Sequence, residues 1–100
     1  MTSRPVTVAN ALGLHARAAA RFVHLATQFT SQIRVARDGK VMDGKSIMGI
    51  LLLAAARGTT LTISAEGTDE AAAVAALVEL VESGFGDASA GPGAGESWNG

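Results

Sequence analysis

A chain of 100 residues without cysteine has room for one hydrophobic core and offers no disulfide framework, thiolate metal site or cysteine nucleophile. Apolar residues make up 48% of it and charged residues 17%, a balance too hydrophobic for a disordered chain. Eight Lys+Arg against nine Asp+Glu leave a net charge of −1, so the basic excess with which a nucleic-acid binder displaces counterions is missing. The opening MTSRPVTVAN holds no apolar stretch of signal-peptide type, and the longest apolar run, residues 47–56, is about half of a membrane span. A cytoplasmic one-core domain without membrane insertion is expected.

Val6 and Val8 flank Thr7 as in a short half-buried strand. Ala19, Phe22, Val23, Ala26 and Phe29 recur at helical spacing and predict an amphipathic helix over roughly 16–29. Ile33 and Val35 alternate with Gln32, Arg34 and Arg37 in a second strand. Asp38-Gly39 signals a two-residue hairpin, with a third strand at about 40–43. Ser46 stands where an N-cap belongs, before an apolar helix over 47–54 that Arg57-Gly58 would close with a C-cap glycine. Leu61, Ile63 and Ala65 alternate with Thr60, Thr62 and Ser64 in a fourth strand. Thr68 is expected to cap the last helix without a capping box, since Ala71 stands where the acid would be. Asp69 and Glu70 suit that helix's first turn, and Val74, Leu77, Val78 and Val81 form its buried stripe. After Phe85 the composition changes. Residues 86–100 carry five glycines and a single large apolar residue, Trp98, and are expected to be a disordered tail, which leaves 1–85 as the folded domain. The order βαββαβα suggests an open-faced α+β sandwich, with a ferredoxin-like split arrangement as the competitor that pattern alone does not separate.

Chemistry concentrates at His15, in Gly13-Leu14-His15-Ala16-Arg17, where a loop becomes a helix. A helix N-terminus presents unpaired amides and partial positive charge, so an anion is stabilised there. Histidine is a competent nucleophile near neutral pH, and Arg17 in the first turn brings planar donors to the same anion. His24, outside the core stripe, reads as an exposed helix residue. Ser46 lacks the G-x-S-x-G setting and acid partner of a hydrolase nucleophile, so its chemistry is that of a cap. In its helix, Ile47, Ile50, Leu51 and Ala54 are expected to face the sheet, while Met48 and Leu52 point away as an adaptable recognition surface. Ala20, Arg21, His24 and Thr27 extend that patch beside His15, and small Ala16 and Ala20 let a partner approach the histidine. No Walker A loop, dinucleotide fingerprint or metal-ligand cluster is present, so neither cofactor nor metal is expected. Gly91-Pro92-Gly93-Ala94-Gly95 follows no strand and reads as linker.

Gly13-Leu14-His15-Ala16-Arg17, Gly44-Lys45-Ser46-Ile47-Met48-Gly49-Ile50 and Gly67-Thr68-Asp69-Glu70, in that order and separation, resemble the HPr family of histidine phosphocarriers of the bacterial phosphotransferase system, its nitrogen-branch paralogue included, over about residues 4–85. The resemblance implies a four-stranded antiparallel sheet with three helices on one face, and a carrier rather than a self-contained enzyme. It implies that enzyme I, charged from phosphoenolpyruvate, phosphorylates His15 at Nδ1, that Arg17 helps hold the phosphoryl group, and that a IIA-type domain accepts it. It further implies that Ser46 matches a serine modified by an HPr kinase/phosphorylase, and that partners dock on Ala16, Ala20, Arg21, His24 and Thr27 with Ile47, Met48, Leu51 and Leu52. A monomer is expected. The family motif often continues with proline where this chain has Ala18, which keeps an N–H that proline lacks. The alternative reading is a regulatory interaction module of the same fold that acts through Met48 and Leu52 without turning over phosphate. A nucleic-acid-binding domain ranks third, disfavoured by charge and by only three Phe and one Trp for base stacking.

Overall fold

Alternation along the strands determines which side of the sheet is dry. In the computed structural model, which describes residues 1–87, Val6, Ile33, Val35, Leu61, Ile63 and Ala65 are buried, while Thr7, Gln32, Arg34, Thr60 and Thr62 face solvent. Among the described residues the elements are β1 (Thr2–Thr7), α1 (Ala16–Ala26), β2 (Gln32–Arg37), β3 (Lys40–Asp43), α2 (Ile47–Leu52), β4 (Thr60–Glu66) and α3 (Glu70–Glu82). The strands form one antiparallel sheet in the order β1-β4-β2-β3, with Val6 opposite Leu61 and Val35 opposite both Ile63 and Met42. The helices cover its apolar face around Phe22, Ile50, Leu53, Leu77 and Phe85, an open-faced α+β sandwich. Asp38 and Gly39, at φ 48° and 84°, form the two-residue hairpin turn that their residue types predict.

Helix ends depart from the pattern in three places. α1 stops at Ala26, and Phe29 packs half-buried from the turn beyond it. α2 is shorter than 47–54 because Ala54 takes φ 50°; Arg37 Nη1 donates to the carbonyls of Leu53 and Ala54 at 2.7 and 2.8 Å, capping the helix with a cation, and Gly58 belongs to the loop before β4. The inward face of this short helix is Ile50 and Leu53, so Ile47 and Ala54 are exposed and Leu51 half-buried. The third departure is at α3, whose N-cap is Asp69 rather than Thr68, and no side chain caps it. The Asp69 carboxylate instead accepts from the amides of Thr30 (2.8 Å) and Ser31 (3.0 Å) and from the Ser31 hydroxyl, tying the loop before β2 to the start of α3.

The chain does not leave the domain at Phe85. Gly84 N–H donates to Val81 and Phe85 N–H to Leu80, the paired bonds of a Schellman motif that turns the chain back over the end of α3. Phe85 is fully buried, and Gly86 and Asp87, assigned above to the tail, continue the packed structure with Asp87 itself buried. Residues 88–100, Trp98 among them, lie outside the described residues.

The Ser31 hydroxyl and Thr30 amide hold the Asp69 carboxyl down to about 2, and the Thr2 hydroxyl and Gly67 amide do the same for Glu70, at about 2. Between those values and the unfolded ones the unfolded chain binds more protons, so the stabilisation is complete above the ordinary carboxylate range and is lost as pH falls toward 2. Urea unfolding followed down that range is expected to show stability falling with pH, and a variant carrying both Asp69→Asn and Glu70→Gln is expected to flatten the slope.

Candidate functional site

The loop between β1 and α1 is shaped around Gly13. At φ 67°, with a Cβ that would lie 2.7 Å from the Ala55 carbonyl oxygen, this position admits only glycine without strain. Leu14 N–H donates to that same carbonyl at 2.9 Å, and Asn10 Nδ2 donates to Gly13 O at 2.8 Å. The loop so pinned delivers His15 to the N-cap of α1 in extended conformation, at φ −82° and ψ 179°. Serine, threonine, aspartate and asparagine are the usual caps; here the imidazole does the work, Nδ1 accepting from Ala18 N–H at a long 3.4 Å. That N–H is the one a proline at this position would lack.

The other ring nitrogen meets the carboxylate of Asp87, with Nε2 at 3.0 Å from Oδ2 and 3.2 Å from Oδ1. A backbone amide is only a donor, so the arrangement suits a neutral ring with its lone pair on Nδ1 and its proton on Nε2, facing Asp87. The His15 side chain is 26% exposed and that of Asp87 only 7%. Asn10 Nδ2 also donates to Asp87 Oδ2 at 2.8 Å, and Arg21 Nη1 donates to Phe85 O at 2.6 Å, so the loop and α1 both grip the segment that carries the carboxylate.

Arg17 is exposed on the first turn of α1, together with Ala16 and, further along, Ala20 and His24. Arg17, Ala20, Arg21, His24 and Leu25 of α1 line a shallow groove with Leu80 of α3. Thr27 serves the end of α1, its hydroxyl donating to His24 O at 2.8 Å. α2 packs against α1, and Ile47, Met48 and Leu52 stand 45%, 67% and 57% exposed, whereas Leu51 packs half-buried against the core. Ser46 caps α2, its Oγ accepting from Gly49 N–H at 3.1 Å. Among the described residues no group of three or more His, Cys, Asp or Glu could hold a metal, and no helix is long and apolar enough to cross a membrane. Asp87 and Asn10 are the site residues that periodicity and motif leave out; the run Ser83-Gly84-Phe85-Gly86, a left-handed helix stop followed by a core aromatic, is the signal for the returning chain.

The family model of the PTS HPr component phosphorylation site matches residues 2–83, stopping short of Asp87. The phosphocarrier protein HPr of Cupriavidus necator is 46% identical over 87 residues, which span 87% of this chain and 98% of that one. The crystal structure of HPr-C-His from Thermoanaerobacter tengcongensis superposes with a TM-score of 0.83 at 48% identity, covering 87% of this chain and 98% of that one. The crystal structure of an HPr dimer from the same organism gives a TM-score of 0.70 at 48% identity, covering 87% and 100%.

Removing the α2 cap by Ser46→Ala is expected to cost about 1 kcal/mol of unfolding free energy in urea titrations, and Ser46→Asp, which keeps an acceptor oxygen at the helix start, is expected to lose less.

Proposed function

The chain belongs to the HPr family, the phosphocarriers of the phosphotransferase system, and from that premise we propose that His15 accepts a phosphoryl group at Nδ1 from enzyme I charged with phosphoenolpyruvate and hands it to a IIA-type acceptor. The observation that carries this reading is the held ring: Nδ1 at the N-terminus of α1, facing a backbone N–H that can only donate, on a side chain open enough to be reached. In the uptake step the Nδ1 lone pair attacks phosphorus, the Nδ1–P bond forms, and the bond from phosphorus to the donor breaks with its electron pair staying on the donor. The Nε2 proton stays where it is. Handing the group on reverses these roles at His15.

The anion that results is met by the first-turn amides of α1 and by the Arg17 guanidinium. Giving up the Ala18 N–H bond to Nδ1 costs little at 3.4 Å, and that N–H then becomes one more donor for the phosphoryl oxygens. Docking falls to the exposed apolar Ile47, Met48 and Leu52 of α2 and to Ala16, Ala20, Arg21 and His24 of α1, with Leu51 behind them and Thr27 at the far end. Partners of this kind have to reach the ring and then leave it, which a smooth apolar surface with small residues beside the histidine permits. A monomer in the cytoplasm suits a carrier that fits two partner clefts in turn.

Ser46 supplies the regulatory part of the reading. Phosphorylation by an HPr kinase/phosphorylase would put a dianion at the start of α2, where the fold tolerates it, and beside Met48, where an apolar partner surface does not.

Intact-mass spectrometry at neutral to mildly alkaline pH, with phosphoenolpyruvate and a cognate enzyme I, tests the carrier. One acid-labile phosphoryl adduct is expected on the wild type and none on His15→Ala. No adduct with an enzyme I proven active on another carrier overturns the reading in favour of a non-catalytic interaction module. In steady-state assays Arg17→Ala is expected to lower kcat for uptake about 10-fold or more, and Met48→Ala with Leu52→Ala to raise KM for enzyme I about 10-fold with kcat retained.

A further inference from the structure

We infer that Asp87, delivered by the turn after α3, is a positioning residue for phosphoryl transfer: it keeps the His15 proton on Nε2 and offsets the positive charge the ring gains when Nδ1 bonds to phosphorus. The inference rests on the carrier reading above and adds a residue that lies beyond the matched family region, residues 2–83.

Three observations carry it. The ring is held from both sides in a mutually consistent way, since the amide at Nδ1 can only donate and the carboxylate at Nε2 is positioned to accept. The carboxylate is itself held. Its side chain is 7% exposed, Oδ2 takes a second hydrogen bond from buried Asn10 at 2.8 Å, and the nearest Arg21 nitrogen stands 4.0 Å from Oδ1. The backbone that brings it there passes through consecutive left-handed residues, Gly84, Phe85 and Gly86 at φ 77°, 58° and 73°. Phenylalanine rarely adopts such a conformation, and here it is locked by full burial of its ring and by the Arg21 bond to its carbonyl.

Chemistry then assigns the role. When a neutral imidazole forms a bond to phosphorus through Nδ1 and keeps its Nε2 proton, the ring becomes cationic. A fixed carboxylate 3.0 Å from Nε2 stabilises that cation as it develops, without moving a proton. Holding the proton on Nε2 keeps the phosphorylated ring cationic, so that it departs as neutral imidazole on delivery, while the charge offset by Asp87 acts on uptake. An asparagine in its place can turn its amide toward Nε2 and donate, which moves the ring proton to Nδ1 and removes the attacking lone pair.

The test combines two measurements on the full-length wild type, Asp87→Asn and Asp87→Glu. Nitrogen-15 NMR of the unphosphorylated proteins reads the His15 tautomer, and rapid-quench phosphorylation by phosphoenolpyruvate-charged enzyme I reads the uptake rate. The wild type is expected in the Nε2–H form. Asp87→Asn is expected to gain the Nδ1–H form and to lose about 100-fold in uptake rate with KM for enzyme I little changed, while Asp87→Glu recovers part of the loss. Wild-type uptake in Asp87→Asn overturns the role of Asp87 and leaves the carrier intact. So does a loss that appears in KM alone, which would make Asp87 a docking residue. A loss equal in Asp87→Asn and Asp87→Glu, with the wild-type tautomer in both, assigns Asp87 to packing only and overturns the role as well. A wild type that takes no phosphoryl group refutes the carrier reading and this role together.

Discussion

A sheet with one apolar face has to be covered, and in a chain this short the same three helices that cover it must also build whatever site the molecule has. Burying Phe22, Leu77 and Phe85 against Ile33, Leu61 and Ile63 contributes about 1.5–3 kcal/mol for each side chain and fixes how the helices lie on the strands. The helix ends follow from that. α1 starts from a loop bolted to Ala55, and α3 stops in a turn whose own aromatic plugs the core. His15 and Asp87, the pair to which the proposed transfer assigns its chemistry, stand at those two ends, so their geometry is inherited from the packing beneath them.

At His15 the local capping preference is not met. A serine or aspartate would cap α1 better, as Ser46 caps α2 at 3.1 Å where the imidazole manages 3.4 Å. The weaker cap leaves Nδ1, the nucleophile of the proposed transfer, at the helix start and only lightly engaged. Departures from local optimality of this kind concentrate where chemistry is done. Ala18 belongs to the same compromise, because its N–H both completes the cap and waits as a donor for an incoming anion.

Much of this was legible in the residues and for physical reasons. Strand alternation, the Asp38-Gly39 turn, the stripe Val74, Leu77, Val78 and Val81, the Ser46 cap and the exposure of Met48 and Leu52 are all short-range effects, and the structure has them where the pattern does. The three motifs around His15, Ser46 and Gly67 marked the family. Failures came where a side chain serves a distant part of the chain. Asp69 is recruited by Ser31, so Thr68 never becomes a cap; Arg37 closes α2 from across the hairpin, so Gly58 is not needed for it. The helical period puts Ile47 and Ala54 on the sheet side with Ile50 and Leu51, yet Ile47 and Ala54 are exposed; six residues of helix are too few to define a face by period, and the turn at Ala54 sets it instead. Asp87 was hidden because composition averages over a window. Glycine-rich chain after Phe85 looks like a tail, although its second residue, Asp87, is buried and bonded to His15.

His15 and its carboxylate partner are 72 residues apart in sequence. Contacts of such high sequence separation form late, after the loops they close have been ordered. During synthesis β1 and the histidine emerge first, whereas Asp87 follows all seven elements. A nascent or partly folded chain therefore carries a histidine whose Nε2 side is still bare to water, and the finished arrangement of the ring certifies that the domain has been made through α3 and closed upon itself. On the carrier reading proposed above, a protein that exchanges a labile group with successive partners gains from this order of assembly, because the ring is held from both sides only once the surfaces proposed for those partners are also in place.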